Sequence, residues 1–288
     1  MLIAPRLTAL SFVINFEQEP PDLPSCLERA SSISIGILGN PLTEIRFQRG
    51  QGEKEQCQRV RLSDLATVVG NSPGSWITSL YKPKGSGRYE KFQLDEYAWF
   101  LYYSARTAMF GEDISAFLAM TFNLDLLDND DRRSLTVLSK NLFDLAGLGA
   151  NAASGFGDVA DFYETSLGYY YTGTGLSWVH PQRNLNRFLW AKTGLDRIRK
   201  LRGIYWANYF GSEIVSELGS PSELASAYSR FDTGGEQKLS HIYDDGSMLF
   251  VLTSDVAYFC YPYQSLPQSM YRRYEWLHKR LKIANLLI

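Results

Sequence analysis

Apolar residues along this chain switch between a period of two and a period near 3.6, and the switches divide it into strands and helices. From Leu10 to Glu17 the alternation predicts a strand, with Phe12, Ile14 and Phe16 on one side and Ser11, Val13 and Asn15 on the other. Glu19-Pro20-Pro21 ends it. A short helix is expected over Asp22 to Ser31. Strands follow over Ile33 to Leu38, Glu44 to Arg49 and Gln58 to Leu62, with Gly39-Asn40-Pro41 as a turn, so that this part reads as an antiparallel meander. Asn71 to Gly74 and Lys82 to Gly87 are loops rich in Gly, Pro and Ser. The almost wholly apolar run from Tyr97 to Ala105 suits a strand buried on both faces, and Ser115 to Asn123 alternates again.

Helical spacing takes over between Asn129 and Ala146, where Leu135, Leu138, Leu142 and Leu145 share a face, Asp128 or Asn129 caps the start and Gly147 closes the end. Asn151 to Gly157 reads as a strand. The acidic and aromatic segment Asp158 to Glu164 and an exposed loop, Tyr169 to Gly175, come next. Arg197 to Gly219 changes character twice, from basic to aromatic to amphipathic. Gly203 to Phe210 alternates as a strand, Ser212 caps a helix carrying Ile214, Val215 and Leu218 on one face, and Gly219 ends it. A short helix over Pro221 to Arg230, started by Pro221 or Ser222, precedes a hairpin over Leu239 to Thr253 that turns at Asp245-Gly246. Leu266 to Leu287 closes the chain as a long helix. Its apolar stripe is Met270, Tyr274, Leu277, Leu281 and Ala284, with Arg272, Arg273, Lys279, Arg280 and Lys282 mainly off it.

These elements predict an α+β fold: mainly antiparallel sheet with packed helices and a long C-terminal helix. Ser115 to Gly157 runs strand, helix, strand and Gly203 to Thr253 runs strand, helices, hairpin, a likeness of plan that admits two similar halves. Residues 1–96 form a β-rich region and 97–288 an α+β region, expected to be one continuous globular unit.

Composition narrows the function. With 288 residues, 45% hydrophobic and 21% charged, the chain can bury a sizeable core. Eighteen Tyr, 16 Phe and 6 Trp suit both β-rich cores and protein-binding surfaces. A net charge of -2 gives no electrostatic case for binding nucleic acid directly. The widely spaced Cys26, Cys57 and Cys260 argue against a disulfide framework, and no stretch has the layout of a secretory signal or membrane span, so a cytoplasmic protein is expected.

Candidate chemistry is sparse. Gly147-Leu148-Gly149-Ala150-Asn151-Ala152 matches a loose dinucleotide-binding pattern, yet it follows a helix, where its amides cannot face a pyrophosphate as they do between a strand and a helix. His180, His241 and His278 have no neighbour at metal-ligand spacing, and no nucleophile elbow occurs. No cofactor, metal or enzymatic activity is expected on these grounds. The acidic positions Asp128, Asp130 and Asp131, the run Tyr169, Tyr170 and Tyr171, and the hairpin pair Asp244 and Asp245 are the candidate partner-binding residues, because acidic groups meet basic partners and Tyr anchors interfaces.

The segment Arg199-Lys200-Leu201-Arg202-Gly203-Ile204-Tyr205-Trp206, followed by a helix ending Glu217-Leu218-Gly219, resembles the type VI immunity protein family. Members carry an (I/V)-(K/R)-G-(V/I)-x-W strand before a helix ending in Leu-Gly. The resemblance extends from about Tyr97 to the C-terminus; Tyr205 and the aromatic segment Ala257 to Tyr263 depart from the family pattern. It implies a bacterial protein that neutralises an antibacterial effector of the type VI secretion system by stoichiometric binding. The implied partner is a cognate protein toxin, such as a virus-type replication-repair nuclease, whose DNA-binding or active surface is covered. Gly203 and Trp206 carry fold rather than binding in this reading. Two rival expectations are an effector-loading adaptor or chaperone, and a small-metabolite enzyme with a deep polar pocket where His meets Asp or Glu.

Overall fold

The computed structural model describes residues 8–16, 23–38, 42–48, 56–70, 76–81, 99–104, 107–109, 112–114, 117–123, 140–141, 143–144, 152–161, 201, 203–232, 238–254 and 268–287. Its frame is a ten-stranded sheet: β1 (Thr8–Phe16), β2 (Leu42–Gln48), β3 (Gln56–Arg61), β4 (Trp76–Tyr81), β5 (Trp99–Ser104), β8 (Phe117–Asn123), β9 (Ala152–Asp161), β10 (Ala207–Phe210), β11 (Ser240–Ile242) and β12 (Met248–Val251). In space the order is β11-β12-β10-β9-β1-β8-β5-β4-β2-β3, and every pairing is antiparallel. The short strands β6 (Thr107–Met109) and β7 (Glu112–Ile114) form a separate ribbon. The helices are α1 (Leu23–Leu38), α2 (Leu65–Gly70), α3 (Ser212–Leu218), α4 (Pro221–Ser229) and α5 (Gln268–Ile283). The α+β expectation is met, long final helix included.

One row of cross-strand partners crosses the whole sheet: Gln56, Phe47, Ile77, Tyr103, Leu118, Ile14, Gly155, Tyr209, Leu249 and His241. Directly opposed residues share a face, so Ile14, Tyr209 and His241 lie on the same side. The neighbouring row on that face contains Phe12, Gly157, Ala207 and Val251. Two glycines at the middle of β9 leave room there for rings. A Cβ on Gly155 would lie 2.6 Å from Phe143 and 2.9 Å from the Val13 carbonyl oxygen, and one on Gly157 would lie 2.7 Å from Phe12. Phe143 meets Phe12 edge-on at 6.1 Å and stacks on Tyr209 at 5.4 Å. The opposite face, carrying Phe210 and Phe250, packs against α4 and α5 through Tyr228 and Trp276.

The aromatic stretch is shorter as a strand than its alternation predicts. Only Ala207–Phe210 is strand, and every residue from Ile204 to Phe210 is buried. Asn208 explains the bend before it. Its side-chain oxygen accepts the Tyr205 N–H at 2.8 Å and its amide donates to the Tyr205 carbonyl at 2.7 Å, satisfying both groups as a neighbouring strand would. Trp206 is fully buried; its indole N–H donates to the Thr253 carbonyl at 2.8 Å. Trp206 thus lies in a buried bend, with Gly203 half-buried three residues before it.

Other expectations change as well. Ile33 to Leu38 is the second half of α1, not a strand. Cys26, Leu27, Ala30 and Ser31 are buried at helical spacing, and extending an existing helix costs far less than nucleating a strand, which overrides the local Ile alternation. The N-terminal strands are no simple meander, because β4 pairs with β2 and leaves β3 at the edge. β9 runs on to Asp161, through part of the segment expected to leave the sheet. Gly211, not Ser212, is the N-cap of α3, and Ser220 caps α4 by accepting the Glu223 N–H at 3.4 Å. In α5 the residue at the centre of the buried face is Arg273, expected off it. It donates to the Leu252 and Phe231 carbonyls and to the Asp232 carboxylate at 3.1, 2.9 and 3.0 Å.

Candidate functional site

Of the eight sequence-selected positions, Asp128, Asp130, Asp131, Tyr169, Tyr170 and Tyr171 lie outside the described residues; Asp244 and Asp245 lie within them, exposed, between β11 and β12. The turn is not the two-residue Asp245-Gly246 type. Tyr243 N–H donates to the Ser247 carbonyl at 3.0 Å and Gly246 N–H to the Tyr243 carbonyl at 2.9 Å, closing a three-residue loop, Asp244-Asp245-Gly246. Gly246 has φ 82°, the left-handed conformation that such a loop needs at its last position. One Asp245 carboxylate oxygen accepts both the backbone N–H and the hydroxyl of Ser247. Asp245 therefore serves the loop first, and Asp244 is the more available charge.

Behind the loop, a chain of buried rings ties it to the core. Tyr243 lies 5.7 Å from Tyr209, which stacks on Phe143. Burial pushes the Tyr209 phenol above its ordinary value, opposed by a hydrogen bond with Ser247 and reinforced by Asp245 and Asp144. Burial raises Tyr243 likewise, with Asp144, Tyr209 and Asp245 adding to it. Both phenols stay protonated at neutral pH, and Tyr243 donates to the Lys140 carbonyl at 3.5 Å.

Nothing in the local sequence pairs His241 with Asp144. The two lie far apart in the chain, and His241 Nε2 comes within 3.9 Å of Asp144 Oδ1 because β11 and the helical residues Lys140, Asn141, Phe143 and Asp144 pack on one face of the sheet. The His241 ring also sits edge-on to Tyr243 at 4.6 Å. Burial lowers the His241 pKa, aided by Lys140 and Lys238 and opposed by Asp144 and Asp244. Burial raises the Asp144 pKa, against His241, Lys140 and Arg29. A dominant ion pair would move both values the other way. Desolvation wins, so the imidazole is neutral at pH 7 and the contact is weak.

Chemically, this is a rigidly mounted acidic turn beside a shallow polar cluster. The His241 and Asp144 side chains are 37% and 30% exposed, unlike the deep His-carboxylate pocket expected of a metabolite enzyme. Among the described residues, no group of three His, Cys, Asp or Glu could hold a metal ion, and no helix is long and apolar enough to cross a membrane. Periodicity and turn residues could locate the loop; no local signal marks His241 with Asp144, which meet only through the fold.

No family model matches the chain, and no curated protein matches its sequence. Among solved structures it is similar to a T6SS protein of Pseudomonas aeruginosa, with TM-score 0.52 and 15% identity, over 96% of this chain and 72% of that one. At that identity the likeness shows a shared fold and nothing further.

Proposed function

We propose that this chain is a type VI secretion immunity protein, which binds a cognate antibacterial effector and blocks it by stoichiometric occlusion inside the producing cell. The observation that carries the reading is the fold shared with a T6SS protein over 96% of the chain. The motif from Arg199 to Trp206 and the helix ending at Gly219 support it from the sequence side.

The hairpin supplies a mechanism. Asp244 and Asp245 stand exposed on a loop whose backbone is closed by hydrogen bonds and whose base is packed on Tyr209 and Phe143. A loop already ordered loses little entropy on binding. Paired carboxylates suit a cationic surface, such as that of an effector that acts on nucleic acid. Asp128, Asp130, Asp131 and Tyr169 to Tyr171, which lie outside the described residues, are proposed partner contacts on their chemistry alone. An adaptor would bind the effector without protecting against it, which makes protection the deciding observation.

The test is co-expression in a bacterium with the effector encoded beside this gene. Restored growth together with an isolable one-to-one complex is the expected result. Lack of rescue with no complex removes the proposal, and a complex without rescue assigns the adaptor role. Asp244→Lys is expected to weaken the complex about tenfold, the effect of reversing one charge at an interface rim.

A further inference from the structure

Asp244 and Asp245 are both exposed, yet the hairpin loop holds them differently. One Asp245 oxygen accepts the Ser247 N–H at 2.9 Å and the Ser247 hydroxyl as well. Ser247 is fully buried and its hydroxyl carries a single proton. A carboxylate can only accept, so that proton points outward to Asp245 and the Ser247 oxygen is left to accept from within. Tyr209, also fully buried and hydrogen-bonded to Ser247, is the donor there. A directed chain of hydrogen bonds therefore runs from the core to the surface, from Tyr209 to Ser247 to Asp245. Ending on a charged group strengthens both links.

Both sides of this chain are supported. At its inner end Tyr209 stacks on Phe143 at 5.4 Å, in space that a Cβ on Gly155 would fill. Beside the loop, a Cβ on Gly246 would lie 4.0 Å from that of Ser212, so the start of α3 stands against it. The loop has three residues, and Gly246 already takes the left-handed conformation. Rotating Asp245 away from Ser247 would carry Asp244 with it.

We propose that Ser247 and Tyr209 are positioning residues of the effector-binding hairpin: buried and touching no partner, they present the Asp244-Asp245 pair in one fixed geometry to a protein surface bearing Lys or Arg. The inference rests on the immunity reading above. Asp245 then contributes in two separable ways, by its charge and by its acceptor oxygen. Asn keeps the oxygen and loses the charge, and it suits a turn; Ala loses both. The two substitutions change the net charge equally, so any difference between them measures positioning.

The experiment measures Kd by calorimetry between the purified chain and the effector encoded beside its gene, with amide hydrogen exchange on the free chain. Asp245→Asn is expected to weaken binding about threefold, through its charge, and Asp245→Ala about 15-fold, because a loop that is no longer held must be ordered on binding. Ser247→Ala is expected to weaken binding about fivefold in the wild-type chain and to add almost nothing to Asp245→Ala, since both remove the same bond. Tyr209→Phe keeps the stack on Phe143 and is expected to cost about twofold. In the free chain the Gly246 amide is expected to exchange faster in Asp245→Ala and Ser247→Ala and at the wild-type rate in Asp245→Asn, with thermal unfolding unchanged.

Equal affinities for Asp245→Asn and Asp245→Ala, with wild-type binding intact, overturn the positioning role and leave the immunity reading standing. Full additivity of Ser247→Ala with Asp245→Ala does the same. Because Asp245 is exposed, its Asn and Ala variants decide the matter even if Ser247→Ala fails to fold. Unchanged affinity and exchange in Tyr209→Phe overturn the inner link. A wild-type chain that neither binds nor protects takes down both the positioning role and the immunity reading.

Discussion

Two parts of the molecule follow the same order, strand, helix, hairpin, and end up in different places. In the first, β1 leads through α1 to the hairpin β2-β3; in the second, β10 leads through α3 and α4 to the hairpin β11-β12. The second hairpin folds straight back, so that β12 pairs with β10 at Ala207↔Val251. The first is carried away from its opening strand by β8, β5 and β4, which stand between β1 and β2. Strand, helix and hairpin therefore dictate local structure only. Where the hairpin pairs depends on what the rest of the chain inserts beside the opening strand.

The difference also sets how firmly each end is held. β12 is buried along its whole length, with α4 and α5 on one side and the Tyr209 face on the other. On β3, Val60 is buried while Gln58, Arg59 and Arg61 are exposed, a solvated edge whose charges discourage pairing with another sheet. The C-terminal end is expected to be the more stable one.

Arg273→Met should have the largest effect, because it removes the donor shared by Leu252, Phe231 and Asp232 at the C-terminal end. The expected loss is about 3–4 kcal/mol in urea denaturation, since buried carbonyls are left without their donor and Asp232 loses its ion pair. A loss below that of any N-terminal edge variant would break the comparison. Gly155→Ala comes next, at about 2–3 kcal/mol, as its Cβ would sit 2.6 Å from Phe143 and force the ring from its stack with Tyr209.

Val60→Ala at the opposite edge is expected to cost only about 1–2 kcal/mol, for two methyl groups at a site able to relax. Native-state hydrogen exchange sharpens the same contrast: β3 amides are expected to exchange before those of β12. Equal protection would mean that the two ends unfold together.

The smallest effect concerns pH. His241 has a folded pKa below its unfolded one, so the unfolded chain binds more protons near that range. Its contribution is complete above the unfolded value and is lost as pH falls through the folded one. Asp144, with a raised folded pKa, trends oppositely, favouring the fold as pH drops toward its protonation range. His241→Gln is expected to abolish the slight loss of stability on acidification through the histidine range, seen in denaturation midpoints. A profile identical to wild type would remove His241 from the C-terminal end's pH response.

Much of the fold is readable from local patterns. β1, β5, β8, the C-terminal hairpin, α3, α4 and α5 all follow from spacing, turn residues and caps, because each depends on neighbours a few residues away. The failures share a cause. Ile33 to Leu38 alternates like a strand but continues a helix packed through Leu27 and Ala30. Arg273 looks like a surface cation but is buried, because three acceptors from α4's end and β12's end converge on it. The acidic loop could be found from Asp245-Gly246, while its anchoring through Ser247, Tyr209 and Phe143 could not.

By itself the sequence determined the period of β1, β5, β8, α3, α4 and α5, the α+β class, the turn at Gly246 and the absence of a charge excess suited to nucleic acid. Tertiary structure alone decided the order of the ten strands, the meeting of His241 with Asp144 and the burial of Arg273. The physical reason is range. Periodicity and capping act over a turn or a strand, whereas strand order and buried polar partners depend on surfaces that come together only once distant segments have paired.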